Sequence, residues 1–228
     1  MSDPNFVVIP RYWIPREDAP ARAGDIQYLI GFRNVISAIS DSRSLVSSAV
    51  PVCGVGNSMP LVIVNGPHWK YGVLLACLNS LVLDYLVKQK ASGANLNFFI
   101  MKQLAVPSPE FFVARSIDST PLKDWILSRV AELVAVTPDL GPFSSDMIGS
   151  DTVFSWDAER RFQLQCELDA LFFHVYGISY DDAEYILDSF NVLRNAEMSE
   201  HGSFRTKDRV LSLYKSMDEK LSENLIPA

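Results

Sequence analysis

The sequence predicts an α+β fold. A mixed α/β part with short strands and one long helix occupies residues 1–115, and a helical part occupies residues 116–228. Three observations predict it. Runs rich in β-branched and aromatic residues occur only early, as in Ile26–Val35. The apolar residues of Leu74–Leu86 recur at helical period. Beyond Glu110, every periodic stretch keeps that period and carries helix start and stop signals. The pattern leaves open whether the two parts share one core.

Residues 1–25 hold four prolines and the cluster "PRYWIPRE", read as an irregular docked segment. "IQYLIGFRNV" follows as a strand. "VSSAVPVCGVGNSMPLVIVNG" reads as two short strands, with Gly54, Gly56 and Asn57 turning between them and Pro51 and Pro60 at their ends. Tyr71–Lys90 reads as one helix, because Leu74, Leu75, Leu78, Leu81, Val82, Tyr85 and Leu86 form one wide stripe. Lys88 and Lys90 lie in its last turn, where the helix dipole favours cations, and Gly93 stands beyond as a terminator. "NFFIMKQLAV" reads as a buried strand or turn closed by Pro107 and Pro109.

In the second part, Thr120 and Pro121 open a helix in cap-then-proline order. Residues 137–154, rich in Pro, Gly, Ser and Asp, read as a loop or linker. Ser155 caps a long helix whose stripe is Leu164, Leu168, Leu171, Phe172 and Val175, and Gly177 stops it. Ser179 to Asp182 resembles a capping box and starts a shorter helix through Phe190. A last helix begins near Thr206.

Composition limits the function. The 228 residues are 48% hydrophobic and 21% charged, which suits a folded chain with a real core. The greasiest stretch, Tyr71–Val87, contains Asn79 and Asp84 and is too short and polar for a bilayer, so no membrane partner is expected. No secretory pattern opens the chain. Cys53, Cys77 and Cys166 form neither a metal pattern nor a disulfide framework, which fits a reducing cytoplasm. The net charge of −7 is uneven. Residues 1–115 carry ten Lys and Arg against seven Asp and Glu, a net +3, and the rest carries −10. Such asymmetry suits two parts with different partners, and one exposed acidic helix face would also produce it.

Catalytic signatures are missing. "CGVGNS" has two glycines but neither the Lys-Ser/Thr ending of a P-loop nor dinucleotide spacing. The three histidines are far apart, and no pair has zinc-ligand spacing; His174 beside an apolar stripe reads as structural. Asp181, Asp182 and Glu184 read as helix N-terminal charge, and Asp218-Glu219-Lys220 diverge around a helix. No Asn/Asp-Pro-Pro-Tyr/Phe motif and no glycine-rich cofactor loop is present, so the chain on its own is not expected to methylate DNA.

Several blocks together resemble a known family. "IPRYWI", "FRNV" and "LLACLNSLVLDYLVKQKASGANLNFFIMKQLAVPSPE" resemble the C-terminal target-recognition region of restriction-modification adenine-specific DNA methyltransferases, the fused methylase/endonuclease type. "RRFQLQCELDALFFHVYGISYDDAEYILDSF" followed by "HGSFRTKDRVL" is similar to the block that closes those proteins. Glu167-Leu168-Asp169-Ala170, Tyr176-Gly177, Tyr185-Ile186-Leu187-Asp188, Phe190, Gly202, Thr206 and Lys207 match it; Asn191 stands where proline is usual. The helix-to-Pro-x-Pro-Glu block also resembles the repeating unit of type I specificity subunits. The resemblance covers nearly the whole chain. It implies a reader of double-stranded DNA for a methyltransferase catalytic domain or subunit elsewhere, and S-adenosylmethionine would bind there. No cofactor is expected in this chain, which would be a segment of a larger enzyme or a separate reader subunit.

With that reading, the candidate DNA contacts are Arg33, Ser37, Asn57, Ser58, Lys88, Lys90, Ser92, Asn95 and Asn97. Lysines neutralise phosphates, and asparagine can bond adenine bidentately in the major groove. Each has a plainer reading: Lys88 and Lys90 as helix-end charges, Asn95 as a turn residue, Arg33 as a structural ion pair. The acidic second part would brace the reader and dock on the catalytic domain, or merely complete the core. A protein-interaction module without DNA contact is the competing function, favoured by the acidic balance. A hydrolase, perhaps a nuclease, is a third, disfavoured by the lack of converging carboxylates.

Overall fold

A computed structural model describes Pro15 and residues 26–37, 40–91 and 93–221. The "PRYWIPRE" segment, apart from Pro15, and Ser92 lie outside the described residues. The fold is α+β. Strand β1 (Tyr28–Phe32) forms as its composition dictates, with the side chains of Tyr28, Ile30 and Phe32 buried. It is the middle of an antiparallel sheet of order β2-β1-β3, flanked by β2 (Ser47–Pro51) and β3 (Leu61–Val62). The glycine-rich stretch between β2 and β3 is therefore no tight hairpin. The two strands do not pair with each other; β1 takes the place between them.

The single helix expected over Tyr71–Lys90 is two, α1 (Trp69–Leu78) and α2 (Leu81–Lys90), bent by 61°. Asn79 and Ser80 break it. The Asn79 amide donates to the carbonyls of Leu75 and Ser47, and its Oδ1 accepts from Ser47 N–H. Ser80 is extended, and its hydroxyl donates to Cys77 O and accepts from Leu83 N–H as an N-cap. Short polar side chains thus take over backbone groups that a continuous helix would pair. Of the predicted stripe, Leu75, Leu78, Leu81 and Val82 are buried and Leu74, Tyr85 and Leu86 half-buried, while Leu83 and Val87 outside it are fully enclosed. Helix α2 ends at Ala91 in an extended conformation, without a left-handed glycine.

"NFFIMKQLAV" is a short helix and turn rather than a strand, and Leu104 is its buried member. Asn97 Oδ1 accepts from Ile100 N–H and caps the short helix α3 (Phe98–Met101), which leaves Phe98 and Phe99 exposed. Helix α4 (Pro109–Val113) follows, then a hairpin of β4 (Ser116–Ile117) and β5 (Thr120–Pro121). Asp118 and Ser119 turn it, both at positive φ, as a two-residue hairpin requires. Helix α5 (Leu122–Val134) then starts one residue later than the cap-then-proline order predicts: Thr120 and Pro121 pair in β5, and Pro121 stands at the N-cap without a side-chain cap.

Of the supposed linker 137–154, residues 138–148 are helical and pack into the core, while 150–154 stay irregular. A 3-10 turn at Pro138–Leu140 leads into α6 (Gly141–Ile148), and Gly149 ends it in the left-handed conformation. Phe143 is fully buried edge-on to the Tyr28 ring, 5.0 Å between centroids. Helix α7 (Ala158–Val175) is capped by Asp157, two residues later than expected, with Oδ1 accepting from Arg160 N–H. Its whole stripe is buried. Ser179 caps α8 (Tyr180–Asp188) by accepting from Asp182 N–H, while its hydroxyl donates to the Asp182 carboxylate. Helix α9 (Asn191–His201) was not foreseen, and none of its residues is buried. Helix α10 (Arg205–Asp218) packs on α7 and α8.

One cluster of buried residues runs from Tyr28 to Met217, so the core crosses the 115/116 boundary. No single helix among the described residues is long and apolar enough to cross a membrane, and the bent α1–α2 pair lies largely within this core.

Candidate nucleic-acid interface

Asn34 ties three distant segments into one rim. Its N–H donates to Ser58 O (2.9 Å), its carbonyl accepts from Leu96 N–H (2.7 Å), and its side-chain amide reaches Asn57 O (3.5 Å). Next to it, Val35 and Asn95 form an antiparallel bridge, and Ile36 N–H donates to Ala94 O (2.9 Å). The segments 33–37, 57–58 and 94–97 therefore meet, held by backbone bonds rather than side chains. The side chains of Asn57, Ser58 and Asn95 make no hydrogen bond among the described residues and are exposed. Asn97 gives its carbonyl oxygen to the α3 cap, and no described residue pairs with its amide nitrogen. Lys90 is exposed at the end of α2, without an ion pair among the described residues.

The rim has apolar members that the sequence reading missed. Val35 is 58% exposed, Phe98 53% and Phe99 74%. Phe98 leans edge-on against the buried Phe32 ring, at 5.9 Å, and Phe99 stands free of the core. Lys102, at the cap of α3, is exposed too. Two adjacent aromatics normally mark a buried strand. The signal for the opposite outcome was Asn97, whose side chain favours a helix start over a strand.

Three expected contacts take structural roles. Arg33 Nη2 pairs with Asp41 (2.7 Å) and donates to Arg43 O (2.8 Å), bracing the loop between β1 and β2. Ser37 closes a turn in that loop: its N–H donates to Asp41 and its hydroxyl accepts from Ser40 N–H. Lys88 is turned inward, not towards a phosphate. Its ammonium lies 3.6 Å from Asp84, donates to Ser42 O (3.3 Å) and sits 4.1 Å over the Phe190 ring. Burial lowers the Lys88 pKa, partly offset by Asp84. Burial likewise raises the Asp84 pKa, against hydrogen bonds from the Leu45 and Ser44 amides and the charge of Lys88.

Beneath the rim lies a seam of buried charge. Asp169 on α7 has a nearly enclosed side chain. One carboxylate oxygen accepts from Leu81 N–H (2.7 Å), completing the N-terminus of α2 across the fold, and the other pairs with Arg43 (2.7 Å). Burial pulls the Arg43 pKa down, and Asp169 outweighs it, so the net direction is up. The blocks that carried the resemblance have their physical basis here and in two further places. Tyr176 donates to Ala105 O (2.7 Å) and Gly177 turns at φ +65°. Lys207 pairs with Asp188 (2.8 Å) and Glu184 (2.9 Å), joining α10 to α8.

Convergent catalytic groups are not seen among the described residues. No cluster of three or more His, Cys, Asp or Glu could hold a metal ion there. His174 is stacked on Tyr214, 3.8 Å between centroids, and hydrogen-bonds its carbonyl (3.0 Å). Cys77 is buried, and burial pushes its thiol up to about 12. Comparison of this chain with protein-family models, curated proteins and solved structures finds no match to any of them.

Proposed function

We propose that the chain reads double-stranded DNA as the target-recognition portion of a restriction-modification adenine-specific methyltransferase whose catalytic domain or subunit lies elsewhere. The observation that carries this reading is the rim. Segments separated by dozens of residues are tied by backbone bonds so that Asn57, Ser58, Asn95 and Asn97 emerge on one edge. Free amides on a rigid support can discriminate base edges. Lys90 and Lys102 supply phosphate contacts, and the exposed Phe99 supplies a face for stacking or wedging between base steps. The acidic helical part braces this edge through the Asp169 seam and docks on the catalytic partner.

The test is selection of bound duplexes from a randomised pool with the full chain at low salt, followed by titration of the enriched sequence. The expected result is an enriched motif, with Asn95→Ala relaxing the preference at one position by about 1–3 kcal/mol. Absence of enrichment, both alone and with the methyltransferase joined, would sink the proposal.

A second reading has its own observation. Val35, Phe98 and Phe99 form an exposed apolar group of the kind that marks protein interfaces. A protein-interaction module would hold its partner in salt that strips DNA, and Phe99→Ser would abolish that binding.

A further inference from the structure

A cavity of about 450 Å³ opens where the two halves of the sequence meet, between β2, α1, α5 and α7. That volume is in the range of small-molecule sites. Its walls are aliphatic, including Leu75, Val130, Leu133, Val134 and Leu168, and its mouth carries the exposed Val46 and Trp156.

Two polar features point into a site rather than a packing gap. Arg161 lines the cavity with its guanidinium 3.9 Å over the Trp156 ring, held by a hydrogen bond to Leu133 O (2.6 Å). No described carboxylate pairs with it, and burial lowers its pKa without an opposing acidic neighbour. The other cation on the wall, Arg43, is neutralised by Asp169. The cavity thus carries one uncompensated positive charge. The second feature is Ser47. It is only 8% exposed, lines the same cavity, and its hydroxyl has no hydrogen-bond partner among the described residues. A buried hydroxyl left unpaired is costly, and a ligand oxygen would satisfy it.

We infer that the cavity between β2 and α5–α7 binds a small amphipathic monoanion, its carboxylate or sulfonate on Arg161 and its apolar body against the aliphatic walls. The Trp156 face fixes the guanidinium, and the Ser47 hydroxyl donates to a polar atom of the ligand. A dianion suits the site less well, because only one net charge faces it. This inference does not rest on DNA recognition, and its readout is independent of DNA.

The probe is 1-anilinonaphthalene-8-sulfonate, titrated by fluorescence into the full folded chain, with decanoate as competitor. The expected result is saturable one-to-one binding that decanoate displaces. Arg161→Gln should weaken the probe about tenfold, while the uncharged N-phenyl-1-naphthylamine changes less than twofold. Ser47→Ala should weaken the anionic probe severalfold. Thr137→Trp, which fills the cavity from its wall, should remove both probes. Circular dichroism confirms that each variant keeps its helices, and Arg161→Gln and Thr137→Trp test the site from two independent positions. The inference is overturned if the probe does not saturate, if decanoate does not displace it, or if Arg161→Gln binds as the parent does.

Discussion

The seam and the rim use polar side chains in opposite ways. At the seam, Asp169, Arg43, Asp84 and Lys88 are drawn inward, and each is matched by a countercharge or backbone groups. At the rim, Asn57, Ser58 and Asn95 are positioned through their backbones, and their side chains make no hydrogen bond among the described residues. The difference teaches how to recognise a binding group here. A polar side chain that holds the structure together is not available to a ligand, whatever its type. A polar side chain held in place by its backbone is available.

The strongest way to break the comparison is to empty the seam. Asp169→Ala leaves the half-buried Arg43 without its countercharge and the fully buried Leu81 N–H without an acceptor. Removing one partner of a buried pair costs about 3–5 kcal/mol. Urea unfolding should show that loss, and Asp169→Asn, which can still accept from Leu81, should lose less. A loss below about 1 kcal/mol would mean that the two halves are not joined there.

Lys88→Ala sharpens the contrast. If Lys88 belongs to the seam, its removal leaves the buried Asp84 without its ion-pair partner and uncovers the Phe190 ring, a loss of about 1–3 kcal/mol. DNA affinity of the folded variant should stay within twofold. A variant with unchanged stability but weakened DNA binding would return Lys88 to the rim.

How much of this was legible in the sequence follows the same division. The α+β class, the stripe of α7 and the cap of α8 were legible, because local periodicity and capping chemistry dictate them. The break at Asn79-Ser80 was not. The apolar stripe runs across it unbroken, and the break depends on Ser47 and Asp169, which lie far away in the chain. Helix α6 was hidden because its Gly-Pro-Ser composition reads as a loop, while burial of Phe143 against Tyr28 is a long-range event. Helix α9 has no buried face, so no stripe announces it. At the candidate site, residue types suggested Asn57, Asn95 and Asn97. The long-range backbone bonds of Asn34, Val35 and Ile36 bring them together, and the one local sign of an internal partner is Asp84, one helical turn before Lys88.

His174 tests the seam side of the molecule by pH. Burial depresses its pKa, opposed by its hydrogen bond to Tyr214 and by Asp218. In the window below the unfolded value of about 6.5, the unfolded chain takes up a proton that the folded chain resists. The stability contribution is therefore full above that value and declines as pH falls towards the folded pKa. The slope is at most about 1.4 kcal/mol per pH unit. His174→Phe keeps a ring against Tyr214 and should flatten this part of the profile. An unchanged slope would show that other groups carry it.

The smallest effect is expected at Lys90, and it separates the rim from the seam most directly. The side chain is exposed at the end of α2, and no described residue pairs with its ammonium. Lys90→Ala should therefore leave unfolding within about 0.5 kcal/mol of the parent, as surface changes away from caps and cores do. If its ammonium meets a phosphate, the variant releases one counterion fewer on binding. The plot of log affinity against log salt should then become shallower by about 0.9. Base preference should not change, because a phosphate contact carries no sequence information. Lys102→Ala should behave in the same way, and the double variant should lose about twice the slope. If instead the slope stays fixed and the preferred sequence shifts, Lys90 reads a base, and the rim contacts DNA closer to the helix end than its amides indicate.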